Sequence, residues 1–322
     1  MAEDTPVIGI LSIGEMGLGV ANLLIDKGYR VVTFAEDRSD RTRERAKAAQ
    51  IQLSPSIQDF VSSSSVILSI VPPKDSLATA QRIHENTSDT RPQPLYFLDL
   101  NATAPALARS TNNLLSSNPN IVYLDGGIIG GPPKKTSTPQ DTDSATPEDK
   151  YSWTLPSIVV SGPSLPEQYN PLSNVLNIDH VSATIGAASG LKMCFASLTK
   201  GFFALAIQSF VTAESMQVFP ELRKYMEKHN PQTLQIADRG LVGMPPKAWR
   251  WVNEMQQIGE TFEDEGGFSR GLFDGVAEVY RVVAEDTDLG LEQTGQRARG
   301  TSVDDVVSVM REGMRRKKEK TE

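Results

Sequence analysis

The sequence predicts an α/β architecture, a doubly wound parallel sheet followed by an all-helical C-terminal region, on three observations. Short apolar runs alternate with helical stretches through the first half of the chain, the pattern of strands joined by crossover helices. Closely spaced glycines separate the first apolar run from the first helix. From Gly186 onward the period is helical and no further strand signal follows. The expected division is into residues 1–183 and 184–322.

The stretch VIGILSIGEMGLGVANLLIDKG, from Val7 to Gly28, carries the first βα unit. Strand Val7–Leu11 ends at Ser12, Gly14 lets backbone approach a pyrophosphate, and Gly17 lets the following helix lie close to the strand. The first helical N–H groups then face the phosphates, and the helix dipole favours their charge. Ser12, Ile13, Gly14, Glu15, Met16 and Gly17 are thus the candidate cofactor turn of a Rossmann-type domain. Ser12 stands where the usual G-x-G-x-x-G pattern has its first glycine.

Arg30–Ala35 reads as the second strand and Arg41–Gln50 as a charged surface helix. Between them, Glu36 or Asp37 would bond a ribose diol and favour NAD, whereas Arg38 with Ser39 and Arg41 would receive a 2′-phosphate and favour NADP. The balance leans to NADP. Val66–Val71 is a strand halted by Pro72 and Pro73, Asp75 to about His84 is helical, and Leu95–Leu100, Ile121–Leu124 and Ser157–Val160 are further strands. Pro132–Trp153 is rich in Pro, Thr, Ser and Asp, and it reads as a mobile insertion too polar to join a core.

Gly186 to about Val218 reads as one long helix ended by Pro220, with an apolar middle, Gly201–Val211. A helix apolar on nearly all sides must be buried all round, which predicts a homodimer in which each copy covers the other's helix. Shorter helices follow around Pro220–Lys228, Gln232–Leu241, Pro246–Glu263, Gly271–Asp286 and Ser302–Arg316. Trp249, Trp251 and Met255 form a stripe expected in the core.

Composition sets the broad class. With 322 residues, 39% hydrophobic and 22% charged, the chain is that of a soluble globular protein, and a net charge of −8 argues against nonspecific nucleic-acid binding. The basic tail from Arg315 to Lys320 reads as a solvated helix end. A single cysteine, Cys194, rules out an intramolecular disulfide and fits a reducing compartment. The acidic N-terminus leads straight into the first strand, and Gly201–Ala213 spans 13 residues, too few to cross a bilayer. A cytoplasmic protein with no membrane partner is expected. His84, His180 and His229 lack metal-ligand spacing, and no metal is assigned.

In order, the segments VIGILSIGEMG, VILSIVPP, FLDLNATAP, YLDGGIIGGP and GAASGLKMCFASLTKG resemble the β-hydroxyacid dehydrogenases, relatives of 6-phosphogluconate and 3-hydroxyisobutyrate dehydrogenase. The tract AWRWVNEMQQIGETFEDEG resembles the C-terminal domain of a branch known only as phosphogluconate-dehydrogenase-like. The resemblance implies that Ser12, Gly14, Met16 and Gly17 form the pyrophosphate turn, that Val71, Pro72 and Pro73 lie by the nicotinamide, and that Asn101 and Thr103 belong to the next loop. It also implies a glycine-rich substrate loop at Gly126, Gly127, Gly130 and Gly131. Ile129 stands where most relatives carry a serine that holds the substrate carboxylate. Lys192 matches the catalytic lysine, and Ala196 replaces its usual asparagine companion.

Lys192 also makes chemical sense among Leu191, Met193, Cys194 and Phe195. Burial lowers a lysine's pKa and nearby oxidised nicotinamide lowers it further, so the amine can exchange a proton with a hydroxyl or carbonyl oxygen. A lysine snorkelling to solvent is the plainer alternative. Thr199, seven residues on, would share its α-helical face, and Lys200 would be displaced by about 80°; either is a candidate to replace the asparagine. Three function classes follow: an NAD(P)-dependent oxidoreductase acting on a small hydroxy acid or related carbonyl compound, an imine reductase-like NADPH enzyme, and a dinucleotide-binding protein without catalysis.

Overall fold

The computed structural model describes residues 5–36, 39–137 and 151–319. The chain divides into two compact units, Met1–Lys192 and Met193–Glu322.

The first unit is built on an eight-stranded sheet. Its strands are β1 Ile8–Leu11, β2 Val31–Thr33, β3 Gln52–Leu53, β4 Val66–Ser69, β5 Leu95–Asp99, β6 Ile121–Ile129, β9 Ser157–Ser161 and β10 Ile178–Ser182; β7 Lys134–Ser137 and β8 Tyr151–Thr154 form a separate hairpin. The order across the large sheet is β10-β9-β6-β5-β4-β1-β2-β3. All neighbours in it run parallel except β6 with β9. Helices α1 Glu15–Asp26, α2 Asp40–Ala48, α3 Ile57–Ser63, α4 Ser76–Glu85, α5 Pro105–Leu115 and α6 Asn170–Leu176 cover it, and α7 Ala187–Ala196 follows.

Alternation within the strands sorts the core onto the two sheet faces. Ile8, Ile10, Val66, Leu68, Tyr96 and Leu98 pack with Val20 and Leu24 of α1. Leu11, Ile67, Leu95, Phe97 and Tyr123 point the other way and pack with Phe60 and Ile83. Burial on both faces is why these strands read as unbroken apolar runs. The chain runs outward through β2 and β3, then returns to lay β4 on the other side of β1. Open α/β sheets bind ligands at such a reversal, outside the carboxyl ends of the strands.

Two expectations are corrected here. The glycines at 126 and 127 are not in a loop: β6 runs on to Ile129, pairing Gly126 with Val160 and Gly127 with Val159 of the antiparallel β9. The ends of the 132–153 insertion are ordered, because β7 and β8 pair with each other and both are tied to α1. Asp26 accepts from Lys135 Nζ at 2.5 Å and from Trp153 Nε1 at 2.8 Å, and these partners hold its carboxyl below the usual range. The rest of that insertion lies outside the described residues.

The second unit is helical. The run Ala187–Ser215 is unbroken for 29 residues but is not uniform: α7 gives way to a π turn at Ser197–Gly201 and then to α8 Phe202–Ser215. It stops at Ser215 rather than Val218, and Pro220 begins the next helix instead of ending this one. The rest comprises α9 Phe219–His229, α10 Pro231–Gly243, α11 Ala248–Gly266, α12 Gly271–Glu285 and α13 Val303–Glu319. By length and composition the 29-residue run is long and apolar enough to span a bilayer, a property that the core helix of a soluble protein shares. Ala204, Ala206, Ile207 and Phe210 are nonetheless buried within the protein, where α8 packs on α10, α12 and α13.

In this unit Trp251 stacks on Phe203, with ring centroids 6.3 Å apart, and meets Tyr280 edge-on at 5.2 Å. Met255 is also buried, but Trp249 is exposed, which corrects its place in the core stripe.

Gly17 is the tightest point of the first unit: a β-carbon there would sit 2.0 Å from the Ser12 carbonyl oxygen, whereas at Gly14 it would meet nothing within 4 Å. Backbone cannot yield as a side chain does. Gly17→Ala is expected to cost about 2 kcal/mol or more of stability, and Gly14→Ala under about 1 kcal/mol. Urea denaturation of the two variants checks this, and equal losses would refute the close approach.

Candidate functional site

The turn after β1 is held open for a ligand. Gly14 caps α1 with extended backbone and without any side-chain hydrogen bond to the helix, so the first helical N–H groups are not covered by a capping side chain. Arg45 of α2 donates from Nη1 to the Ile13 carbonyl at 2.9 Å, fixing the turn from below. The Ile13 side chain is buried, so only its backbone is available to a cofactor. Glu15 is exposed and Ser12 and Met16 are half-buried. This cradle fits a pyrophosphate. Arg45 was missed because its spacing from the turn follows no local motif.

At the end of β2, Glu36 and Ser39 are exposed, while Asp37 and Arg38 lie outside the described residues. Ser39 caps α2, accepting from Thr42 N at 3.4 Å, and Arg43 donates to the Glu36 carbonyl at 3.3 Å.

Beyond β4 and β5 the residues form one buried polar network. Val71 is buried and Pro72 half-buried. Ser76 donates to Asp99 Oδ2 at 2.7 Å, and Asn101 donates through Nδ2 to Ser69 Oγ at 3.1 Å and to Asp99 Oδ1. Asn101 is 3% exposed, and its Oδ1 is a buried acceptor without a hydrogen-bond partner among the described residues. Thr103 is buried beside it. Burial pushes the Asp99 carboxyl up to about 6 against the pull of Ser76 and Asn101.

The next strand repeats the device. Asp125, the cross-strand neighbour of Asp99, accepts from Ser161 Oγ at 2.8 Å, from the Gly186 and Ser189 N–H groups at 3.0 and 3.1 Å, and from Ser189 Oγ. Burial again raises its pKa, and the nearby Tyr123 phenol is pushed well above its ordinary value, first by burial and then by both carboxylates. Lys192, half-buried on α7, lies over this strand. A β-carbon at Gly127 would come within 2.8 and 3.0 Å of Lys192 Cβ and Cγ. Ile129 is half-buried at the end of β6, and Gly130, with φ +119°, turns the chain away.

The first unit therefore gathers the turn 12–17, Val71, Pro72, Asn101, Thr103, Gly127, Ile129 and Lys192 along the carboxyl edge of its sheet. Thr199 and Lys200 belong to the second unit. The Thr199 hydroxyl donates back to the Phe195 and Ala196 carbonyls. Lys200 pairs with Glu254, lies 4.9 Å from the Trp251 ring centroid, and its carbonyl accepts from Tyr280 Oη at 2.5 Å. The seven-residue face relation expected between Lys192 and Thr199 assumes α geometry, and the π turn at 197–201 breaks that register. Among the described residues no group of three or more His, Cys, Asp or Glu side chains is placed to hold a metal.

Comparison with known proteins agrees with this layout. Residues 7–150 match the family described as the NAD binding domain of 6-phosphogluconate dehydrogenase, and residues 213–283 match a domain of unknown function (DUF1932). An uncharacterised 28.5 kDa protein of Methanothermus fervidus, from the 7S RNA 5′ region, is 21% identical over 221 residues, 69% of this chain and 76% of its own length. Two solved structures share the fold. The 3-hydroxyisobutyrate dehydrogenase of Mycobacterium tuberculosis with L-serine superposes with a TM-score of 0.64 at 15% identity, over 95% of this chain and 98% of its own. The imine reductase of Myxococcus stipitatus with NADP+ does so with a TM-score of 0.51 at 19% identity, over 94% and 99%.

The carboxyl groups give a pH signature with an unusual sign. The Asp99 pKa is raised by folding, so the folded protein binds that proton more tightly than the unfolded chain. The contribution is fully present below about pH 4 and is lost as pH rises through about 6. Denaturation titrations should show wild type losing about 3 kcal/mol relative to Asp99→Asn over that window. A difference that stays flat from pH 4 to 7 would contradict the assignment.

Proposed function

We propose that this chain, a member of the β-hydroxyacid dehydrogenase family and with it an NAD(P)-dependent oxidoreductase, acts on a small hydroxy acid or related carbonyl compound with Lys192 as general acid and base. The observation that carries the reading is the lysine stem seated on Gly127, at the carboxyl edge of the sheet that also bears the pyrophosphate cradle. Bound nicotinamide supplies or accepts the hydride. The protein must then manage one proton, and the Lys192 amine takes it from the hydroxyl in oxidation or returns it to the carbonyl oxygen in reduction.

The backbone of residues 12–17 would hold the cofactor, with Val71, Pro72 and Asn101 beside its nicotinamide end. NADP is favoured over NAD, with Ser39 and Arg38 receiving the 2′-phosphate and Glu36 displaced from a ribose diol. Fluorescence titration with NADPH and with NADH tests that order. Thr103, Gly127, Ile129 and Gly130 are the substrate candidates of the first unit, and Thr199 and Lys200 are those carried by the second. The L-serine in the mycobacterial relative's structure, a β-hydroxy acid, makes serine and 3-hydroxyisobutyrate the first compounds to try.

Imine reduction is the second reading, favoured by the shared fold of the Myxococcus stipitatus enzyme and by the absence of the carboxylate-holding serine at Ile129. Turnover on a panel of hydroxy acids, ketones and imines separates the two. The protein is proposed to work in the cytoplasm as a homodimer. The dimer reading rests on Phe195, Leu198 and Leu205, which are 44%, 80% and 53% exposed along the long helix. Leu198→Asp with Leu205→Asp should convert a dimer to a monomer in sedimentation, and a wild-type monomer at micromolar concentration would end that reading.

Lys192→Ala is expected to lower turnover by about 10²–10⁴-fold while leaving NADPH affinity unchanged. Steady-state rates paired with cofactor titration measure both. A variant keeping more than about a tenth of wild-type turnover would pass the role to another group.

A further inference from the structure

The geometry points to Asp125 as the positioning residue for Lys192, setting where the amine stands by clamping the first turn of α7 to the middle of β6; this rests on the reading of Lys192 as acid and base. The clamp has two contacts in register. Asp125 and Gly127 are two residues apart and so face the same side of the strand, while Ser189 and Lys192 are three apart and share a face of the helix. The first contact is polar: the Asp125 carboxylate accepts from Gly186 N, Ser189 N and Ser189 Oγ. Ser161 completes it, donating to Asp125 at 2.8 Å and accepting from Ala188 N at 3.0 Å. The second contact is apolar, the Lys192 stem lying on Gly127 with no room for a β-carbon.

One anchor would leave the helix free to roll about its axis. Two anchors, one turn apart, fix its rotation and its height above the strand, and thus the point from which the Lys192 side chain starts. Asp125 is suited to the task because it is 1% exposed and is ringed by donors belonging to the segment that carries the lysine. The other ionisable groups around it are Asp99 and Tyr123 on the sheet and Arg109, whose Nη1 lies 3.2 Å from a β-carbon built at Gly186. The donors at the Asp125 carboxylate come from the α7 turn, through Gly186 and Ser189, and from Ser161 of β9.

The test reads the lysine itself. Asp125→Asn keeps the shape but turns an amide N–H₂ toward N–H donors, and Ser189→Ala removes one donor while leaving a residue that favours helix. In each variant, competitive labelling of the folded protein with trinitrobenzenesulfonate, quantified by peptide mass spectrometry across pH, reports Lys192 against Lys27 and Lys224 of the same sample. Lys192 labelling is expected to rise about threefold or more and its pH profile to move, with the reference lysines unchanged. Turnover is expected to fall by up to about 10²-fold in Asp125→Asn with the KM for NADPH held. General loosening would raise all lysines together and would overturn the inference, as would unchanged Lys192 labelling in both variants. The labelling needs no substrate, so a Lys192→Ala variant that keeps turnover would sink the catalytic reading while leaving the clamp to stand or fall on its own readout.

Discussion

Two carboxylates placed side by side and away from water, Asp99 at the end of β5 and Asp125 beside it in the middle of β6, set the terms for the edge of the sheet. Taking such groups out of water is costly unless each is surrounded by donors or keeps its proton. Here the loops bend to supply the donors. The start of α4 turns in to offer Ser76, the β5 loop offers Asn101, β9 offers Ser161, and the first turn of α7 offers two N–H groups and a hydroxyl. The segments that would surround a cofactor and substrate are therefore located by charge satisfaction as much as by apolar packing. A buried network of this kind specifies one arrangement, since a single misplaced donor leaves an acceptor unpaired.

Glycine makes the complementary contribution of space. At Gly17 the helix N-terminus reaches the strand end, and at Gly127 the lysine stem reaches the strand. Both are close approaches in which a methyl group would displace the chemistry rather than merely strain a loop. Polar satisfaction fixes orientation, and the missing side chains allow contact.

Most of the sheet was legible because its strands are buried on both faces and read as apolar runs, and Gly17 was legible because a glycine at that spacing has a known steric task. The polar edge was not. Asp99 and Asp125 appear in sequence within FLDL and YLDGG, while Ser161 and Ser189 lie 36 and 64 residues beyond Asp125, and no local pattern joins them. The continuation of β6 through Gly126 and Gly127 was hidden for a related reason: glycine lowers strand propensity, and only the antiparallel partner β9 makes the extension favourable. The hairpin at 134–137 and 151–154 escaped notice because its strands are polar and its anchor, Asp26, sits in a distant helix.

The π turn at Ser197–Gly201 shows the same principle with the opposite charge. A widened turn exposes a carbonyl that an α-helix would keep for itself, and here the Lys200 carbonyl accepts the Tyr280 hydroxyl while the Lys200 ammonium meets Glu254 and the face of Trp251. A lysine so placed is not available to swing as a surface residue would; its ammonium, its carbonyl and its stem are all engaged by neighbours in its own unit. Periodicity alone could not foresee this, because it counts residues at 100° per step and a single wide turn resets the count. The two lysines of the long helix meet different surroundings: the Lys192 stem lies against Gly127 of β6, whereas the Lys200 ammonium meets Glu254 and the face of Trp251.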